Sequence, residues 1–125
     1  MLTRVAFAHT LWHMKQINDW QPEVKSLLDA LVAVGCTLLT GDNGEEQFEF
    51  NGDQAKFIEN LIACDEASFS VRTPGGHLCW IWIVLGNSPG ELVSDYHVDA
   101  LLDAVTGAHH DKWYGQPQPK KDFPA

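Results

Sequence analysis

The stretch Pro74-Gly75-Gly76-His77-Leu78-Cys79-Trp80-Ile81-Trp82-Ile83-Val84-Leu85-Gly86 decides the fold. A strand with one wet face alternates apolar with polar residues. Here both alternating sets are apolar, with Cys79, Ile81, Ile83 and Leu85 on one side and Leu78, Trp80, Trp82 and Val84 on the other. Such a strand belongs at the centre of a sheet and needs cover on both faces. Helices of the same chain can cover one face. The other calls for more of this chain, a ligand or a second protein.

Upstream, Ala67 to Thr73 reads as a strand with Phe69 and Val71 on one side and Ser68, Ser70 and Arg72 on the other. It turns at Pro74-Gly75-Gly76 into the Trp strand. A three-residue loop pairs Phe69 with Ile81, whereas a two-residue loop sets Phe69 opposite Trp80 or Trp82, so one residue of register decides the face. Downstream, the loop Gly86-Asn87-Ser88-Pro89-Gly90 leads to a short strand from Glu91 to Asp95, with Tyr96 set near Trp80. Val98, Leu101, Leu102 and Val105 then mark the buried stripe of a last helix, capped by Asp95 and extending past Gly107 toward Trp113.

Toward the N-terminus, Phe7, Leu11, Met14 and Ile17 recur at helical spacing in Thr3 to Ile17. A second helix opens at Pro22, carries Val24, Leu27, Leu28, Leu31 and Val34 on one face, and stops at Gly35. Cys36 to Thr40 and Gln47 to Phe50 form a hairpin around Gly41-Asp42-Asn43-Gly44. Asn51 caps a third helix, with Gln54 reaching back to its amide and Ile58, Leu61 and Ile62 buried. The order is α-α-β-β-α-β-β-β-α. It predicts a single α+β domain over residues 1–114, with a mainly antiparallel sheet of about five strands and helices packed on one face. Residues 115–125, rich in Gly, Gln, Pro and Lys, read as an extended or disordered tail.

A chain of 125 residues that is 45% hydrophobic can bury a core without staples. Seventeen acidic residues against eight basic ones give a formal charge of -9, which disfavours nucleic acid held through a basic patch and adhesion to anionic membranes. The field favours cationic partners. Cys36, Cys64 and Cys79 are scattered and lack a Cys-x-x-Cys spacing, so they read as reduced thiols, and the expected location is the cytoplasm. No apolar run reaches membrane-spanning length, and the first residues show no export signal.

Candidate chemistry is sparse. His9 and His13 sit one helical turn apart but lack the Glu of a His-Glu-x-x-His motif, and His109-His110-Asp111 offers further ligands only if two helix ends meet. Neither a metal nor another cofactor is expected. His97 with Asp95 has acid-base residue types, yet neighbours on a strand point to opposite faces. The clearest pattern is charge: Asp95, Asp99 and Asp103 follow at i, i+4 and i+8, expected as a solvent-facing carboxylate stripe, and residues 76–111 hold no Lys or Arg.

These features favour a non-enzymatic acidic interaction module, acting as a homodimer or as a neutralising partner of a basic protein. The residues expected to bind are Trp80, Trp82, Tyr96, Asp99 and Asp103. Two alternatives are a small-molecule site between sheet and helices lined by Trp80, Trp82 and Tyr96, and an enzyme using His97 and Asp95.

Overall fold

The computed structural model describes residues 20–117. The helix expected from Thr3 to Ile17, with His9 and His13, lies outside the described residues, as does most of the expected tail. Helix α1 runs through residues 20–33, where Trp20, Val24, Leu27, Leu28 and Leu31 recur on one side and are buried. Gly35 ends it at φ +95°, a conformation that lets the Cys36 N–H return 3.0 Å to the Leu31 carbonyl. Strands β1 (Thr37–Asp42) and β2 (Gln47–Glu49) follow as a hairpin. Its turn forms around the buried Asn43, whose side-chain oxygen accepts the Glu45 and Glu46 N–H groups at 2.9 Å each. That side chain reads out two turn amides at once, which carries β1 two residues further than the sequence suggests.

Helix α2 (Gln54–Leu61) is capped by Asp53, not Asn51: Asp53 accepts the Lys56 N–H at 3.1 Å, while the Asn51 side chain accepts the Asp53 N–H at 3.2 Å. Asn51 closes the turn before the helix and leaves Asp53 in the extended conformation that a cap requires. From α2, Phe57 meets Phe48, Phe50 and Phe69 edge to face at 5.3, 5.6 and 6.3 Å between ring centroids.

Strands β3 (Glu66–Arg72), β4 (Leu78–Val84) and β5 (Val93–Tyr96) complete a five-stranded antiparallel sheet of order β2-β1-β3-β4-β5. Its register is the three-residue-loop alternative: Phe69 lies opposite Ile81, and Thr73 closes on His77 through a 2.9 Å backbone bond. Ala67, Phe69, Val71, Cys79, Ile81 and Ile83 therefore share the face that the helices cover, and all are buried. The protein is a single α+β domain with its helices on one side of the sheet.

Helix α3 (Ala100–Trp113) departs from expectation at its start. Its cap is Asp99, which accepts the Leu101 and Leu102 N–H groups at 2.8 and 3.2 Å. Val98, expected in the core, is 91% exposed. The reason lies in the sheet, where the His97 N–H still bonds the Trp80 carbonyl at 3.0 Å, so the chain leaves the ladder only after that residue. Val98 is then part of the crossing, and Asp95 stays on β5 opposite Trp82. Leu102, Val105 and His109 form the buried side of α3.

One polar node joins α1, α3 and the β4–β5 loop. Glu23 and His109 are both buried, with the His109 Nε2–H donating to Glu23 Oε2 at 2.8 Å and the Gly90 N–H donating to the same oxygen at 3.1 Å. Gly90 has φ +92°, and a Cβ there would come within 2.9 Å of the Tyr114 backbone nitrogen, so the loop can approach α3 only as glycine. Removing one partner of a buried, hydrogen-bonded pair leaves the other desolvated and unmatched. Glu23→Ala should lower the urea-unfolding free energy by about 3 kcal/mol with an unchanged denaturant slope. A loss below about 1 kcal/mol would show that the node is peripheral to stability.

Candidate functional site

The face of the sheet opposite the helices carries the second apolar set of β4. Cross-strand pairing places Asp42, Ser68, Trp82 and Asp95 in one row over β1, β3, β4 and β5. Trp80 stands opposite Ser70 in the next row, and Val84 opposite Glu66 in the row at the other side. Trp80 and Trp82 lie 6.4 Å apart between ring centroids, and Trp82 remains 38% exposed although β4 is paired on both sides. Beside them, Thr40 sits at a break in the β1–β3 ladder, and its N–H and hydroxyl bond the Ser70 hydroxyl at 3.2 and 2.7 Å. This side-chain bridge satisfies backbone that the ladder leaves unpaired.

His97 completes the aromatic cluster. Its Nδ1 accepts the Trp80 backbone N–H at 3.1 Å, which puts the ring hydrogen on Nε2, and its ring meets Trp82 edge-on at 5.6 Å. His97 thus fixes the β4–β5 edge under the indoles. Asp95, the partner it would need for acid-base work, bonds the Tyr96 N–H at 2.8 Å instead.

Two shallow concavities flank the indoles. One, of about 460 Å³, is lined by Asp42, Glu66, Ser68, Trp82, Val84 and Asp95. The other, of about 550 Å³, lies along Thr40, Asp42, Gln47, Glu49 and Trp80. Carboxylates therefore ring an aromatic floor. The described Lys residues, Lys25, Lys56 and Lys112, are on helices, and Arg72 stands at the far end of this face with its guanidinium bonded to the Gly76 carbonyl at 3.2 Å.

The residues expected to bind fall into two groups. Trp80 and Trp82 lie together on the helix-free face, whereas Tyr96, opposite Ile81, points to the helix side. A pocket shared by all three does not form. The Tyr96 hydroxyl donates to Asp103 at 2.6 Å, and Asp99 caps α3 and meets His77 Nδ1 at 3.2 Å. Asp95, Asp99 and Asp103 thus form no stripe, because β5 holds the first, the helix cap holds the second and Tyr96 engages the third.

Comparison with known proteins finds no matching family model, no similar curated protein and no similar solved structure. The site has to speak through its own chemistry.

That chemistry offers no activated nucleophile among the thiols. Burial pushes the Cys36, Cys64 and Cys79 thiols up, and nearby carboxylates push in the same direction, so all three stay protonated near neutrality. Among the described residues, no group of three or more His, Cys, Asp or Glu side chains is arranged to hold a metal ion, and no helix is long and apolar enough to cross a membrane. Asp42 and Glu66 are the site residues that composition and periodicity do not single out, while His97 drew notice as an acid-base partner of Asp95 and serves instead to bond the Trp80 amide. Ser68 and Glu66 follow from the β3–β4 register, but Asp42 needs the broken β1–β3 ladder, which no sequence pattern announces.

The bond from His77 holds the Asp99 carboxyl below its ordinary value, assisted by the Leu102 and Leu101 amides. A carboxyl depressed by folding contributes stability above its unfolded value of 3.8, and this is lost as pH falls through the folded value. Asp99→Ala should lower the melting temperature by several degrees at pH 7, with the gap to wild type closing on acidification below 3.8. Thermal melts of both proteins across that range check it. A gap independent of pH would assign the loss to packing.

Proposed function

We propose that this protein is a non-enzymatic interaction module whose helix-free sheet face binds a cationic, Lys- or Arg-bearing segment of a partner protein. The observation that carries this reading is the half-exposed Trp80–Trp82 pair on the inner strand β4, ringed by Asp42, Glu66 and Asp95. Indole faces attract guanidinium and ammonium groups, and neighbouring carboxylates strengthen that preference. Buried Trp anchors also dominate the binding energy of protein interfaces. The formal charge of -9 adds long-range steering toward a basic partner.

Self-association on the same face is the competing occupant. Two copies would bring the carboxylates of a -9 chain toward one another, which disfavours it against a basic partner. The three free thiols support placing the protein in the reducing cytoplasm.

A short extended peptide alternating arginine and leucine is the probe, with a glutamate and leucine counterpart as control. The basic peptide should bind and weaken with added salt. Trp82→Ala should reduce affinity about tenfold or more, as should Asp42→Asn combined with Asp95→Asn, with circular dichroism unchanged. Equal binding of the acidic control, or unchanged affinity in Trp82→Ala, would sink the reading. A Trp82-dependent dimer in sedimentation runs would give the face to a second copy instead.

A further inference from the structure

Past α3 the chain runs to the end of the sheet from which β4 departs. The Tyr114 and Gln116 N–H groups bond back to the His110 and Trp113 carbonyls at 2.8 and 3.0 Å, which fixes the course of the chain beyond the helix. Tyr114, Gly115 and Gln116 line a small hollow together with Ser88 and Pro89 of the β4–β5 loop. The described residues end there, at Pro117. The sequence continues as Gln118-Pro119-Lys120-Lys121-Asp122-Phe123-Pro124-Ala125, which holds the only adjacent pair of basic residues in the sequence and an aromatic residue two positions after Lys121. Pro119 and Pro124 oppose a helix and favour an extended backbone.

Reach and register both connect this segment with the helix-free face. Ser88 is four residues from Val84 and six from Trp82, hence at most about 14 and 21 Å away. The seven steps from Gln116 to Phe123 span up to about 24 Å, enough to bring Phe123 to Trp82. In an extended segment Lys121 and Phe123 share one side, about 7 Å apart, and Val84 and Trp82 stand in the same relation on β4. With Phe123 on the Trp82 indole, Lys121 lies over Val84, and opposite Val84 stands the exposed Glu66. Asp122 then turns outward to water. Arg72, the basic residue among those described on this face, is at the other end of β3.

We propose that residues 118–125 occupy the helix-free face of their own chain, with Phe123 against Trp82 and Lys121 paired with Glu66, so that a basic partner binds by displacing them. The inference rests on the reading of that face as a site for Lys- or Arg-bearing segments, and it names what controls access to it. A tethered segment meets its site at an effective concentration in the millimolar range, so even a weak contact competes with an outside ligand.

The test compares three isotope-labelled full-length chains: wild type, Lys121→Gln combined with Phe123→Ala, and Lys25→Gln, which removes the same charge from the helical side. Wild type should show proton contacts between the Phe123 ring and the Trp82 indole, unchanged on dilution. The double variant should move the Trp82 indole N–H signal, leave that of the buried Trp20 in place, and bind the arginine–leucine peptide about threefold more tightly. Lys25→Gln should behave as wild type. Absence of the Phe123–Trp82 contact, its loss on dilution, or a gain in affinity matched by Lys25→Gln would overturn the proposal, dilution loss giving the face to the segment of a second copy. Equal binding of the peptide by wild type and double variant would remove this inference and leave the sheet-face reading standing. No binding by either would remove both.

Discussion

The unbroken register between β3 and β4 is the constraint on which everything else depends. Once Phe69 faces Ile81, each residue of both strands is committed to a side. A shift of one residue in β4 would carry Trp80 and Trp82 under the helices and bring Ile81 and Ile83 out. The indoles are too large for the space where α2 meets the sheet, which Phe57 already fills against Phe48, Phe50 and Phe69. Packing against α2 and the Pro74-Gly75-Gly76 loop therefore select the same pairing, and that agreement between local turn and distant core defines the fold.

The two faces of the sheet then acquire different physics. The covered face is dry and closely packed. Its opposite holds aromatic surface beside Ser, Thr and carboxylate groups, a mixture that suits reversible contact with something charged better than permanent burial in a core. Near the helical layer a second contrast appears, since a buried carboxylate is matched from two sides by His109 and Gly90 while Nδ1 of the same imidazole is buried and unmatched.

Much of the fold was legible in the chain because the signals were periodic. The stripes of α1 and α2, the alternation of β3 and the double-sided β4 each follow from side-chain spacing. The failures concern single hydrogen bonds. Asp99 rather than Asp95 caps α3 because the sheet retains His97, and a pattern of apolar positions holds no information about where a ladder lets go. Asp53 replaces Asn51 for a similar reason, the preceding turn having claimed Asn51 first. At the site, the Trp pair was visible, but its separation from Tyr96 depended on the bulge that pairs Asp95 with Trp82 and Val93 with Ile83. The partnership of Glu23 with His109 spans 86 positions and leaves no local trace.

That long span has a consequence for the protein's birth. Glu23 and Ser26 leave the ribosome before the sheet, but the residues that fasten them, His109, Lys112 and Trp113, are made after all of it. For that interval the core lacks Leu102 and Val105, and the nascent chain carries apolar surface that α3 has yet to cover. Completion of α3 acts as the latch that ends this exposure. Chains interrupted before His109 would keep the tackiness of the unfinished state, making them natural clients for chaperones and proteases.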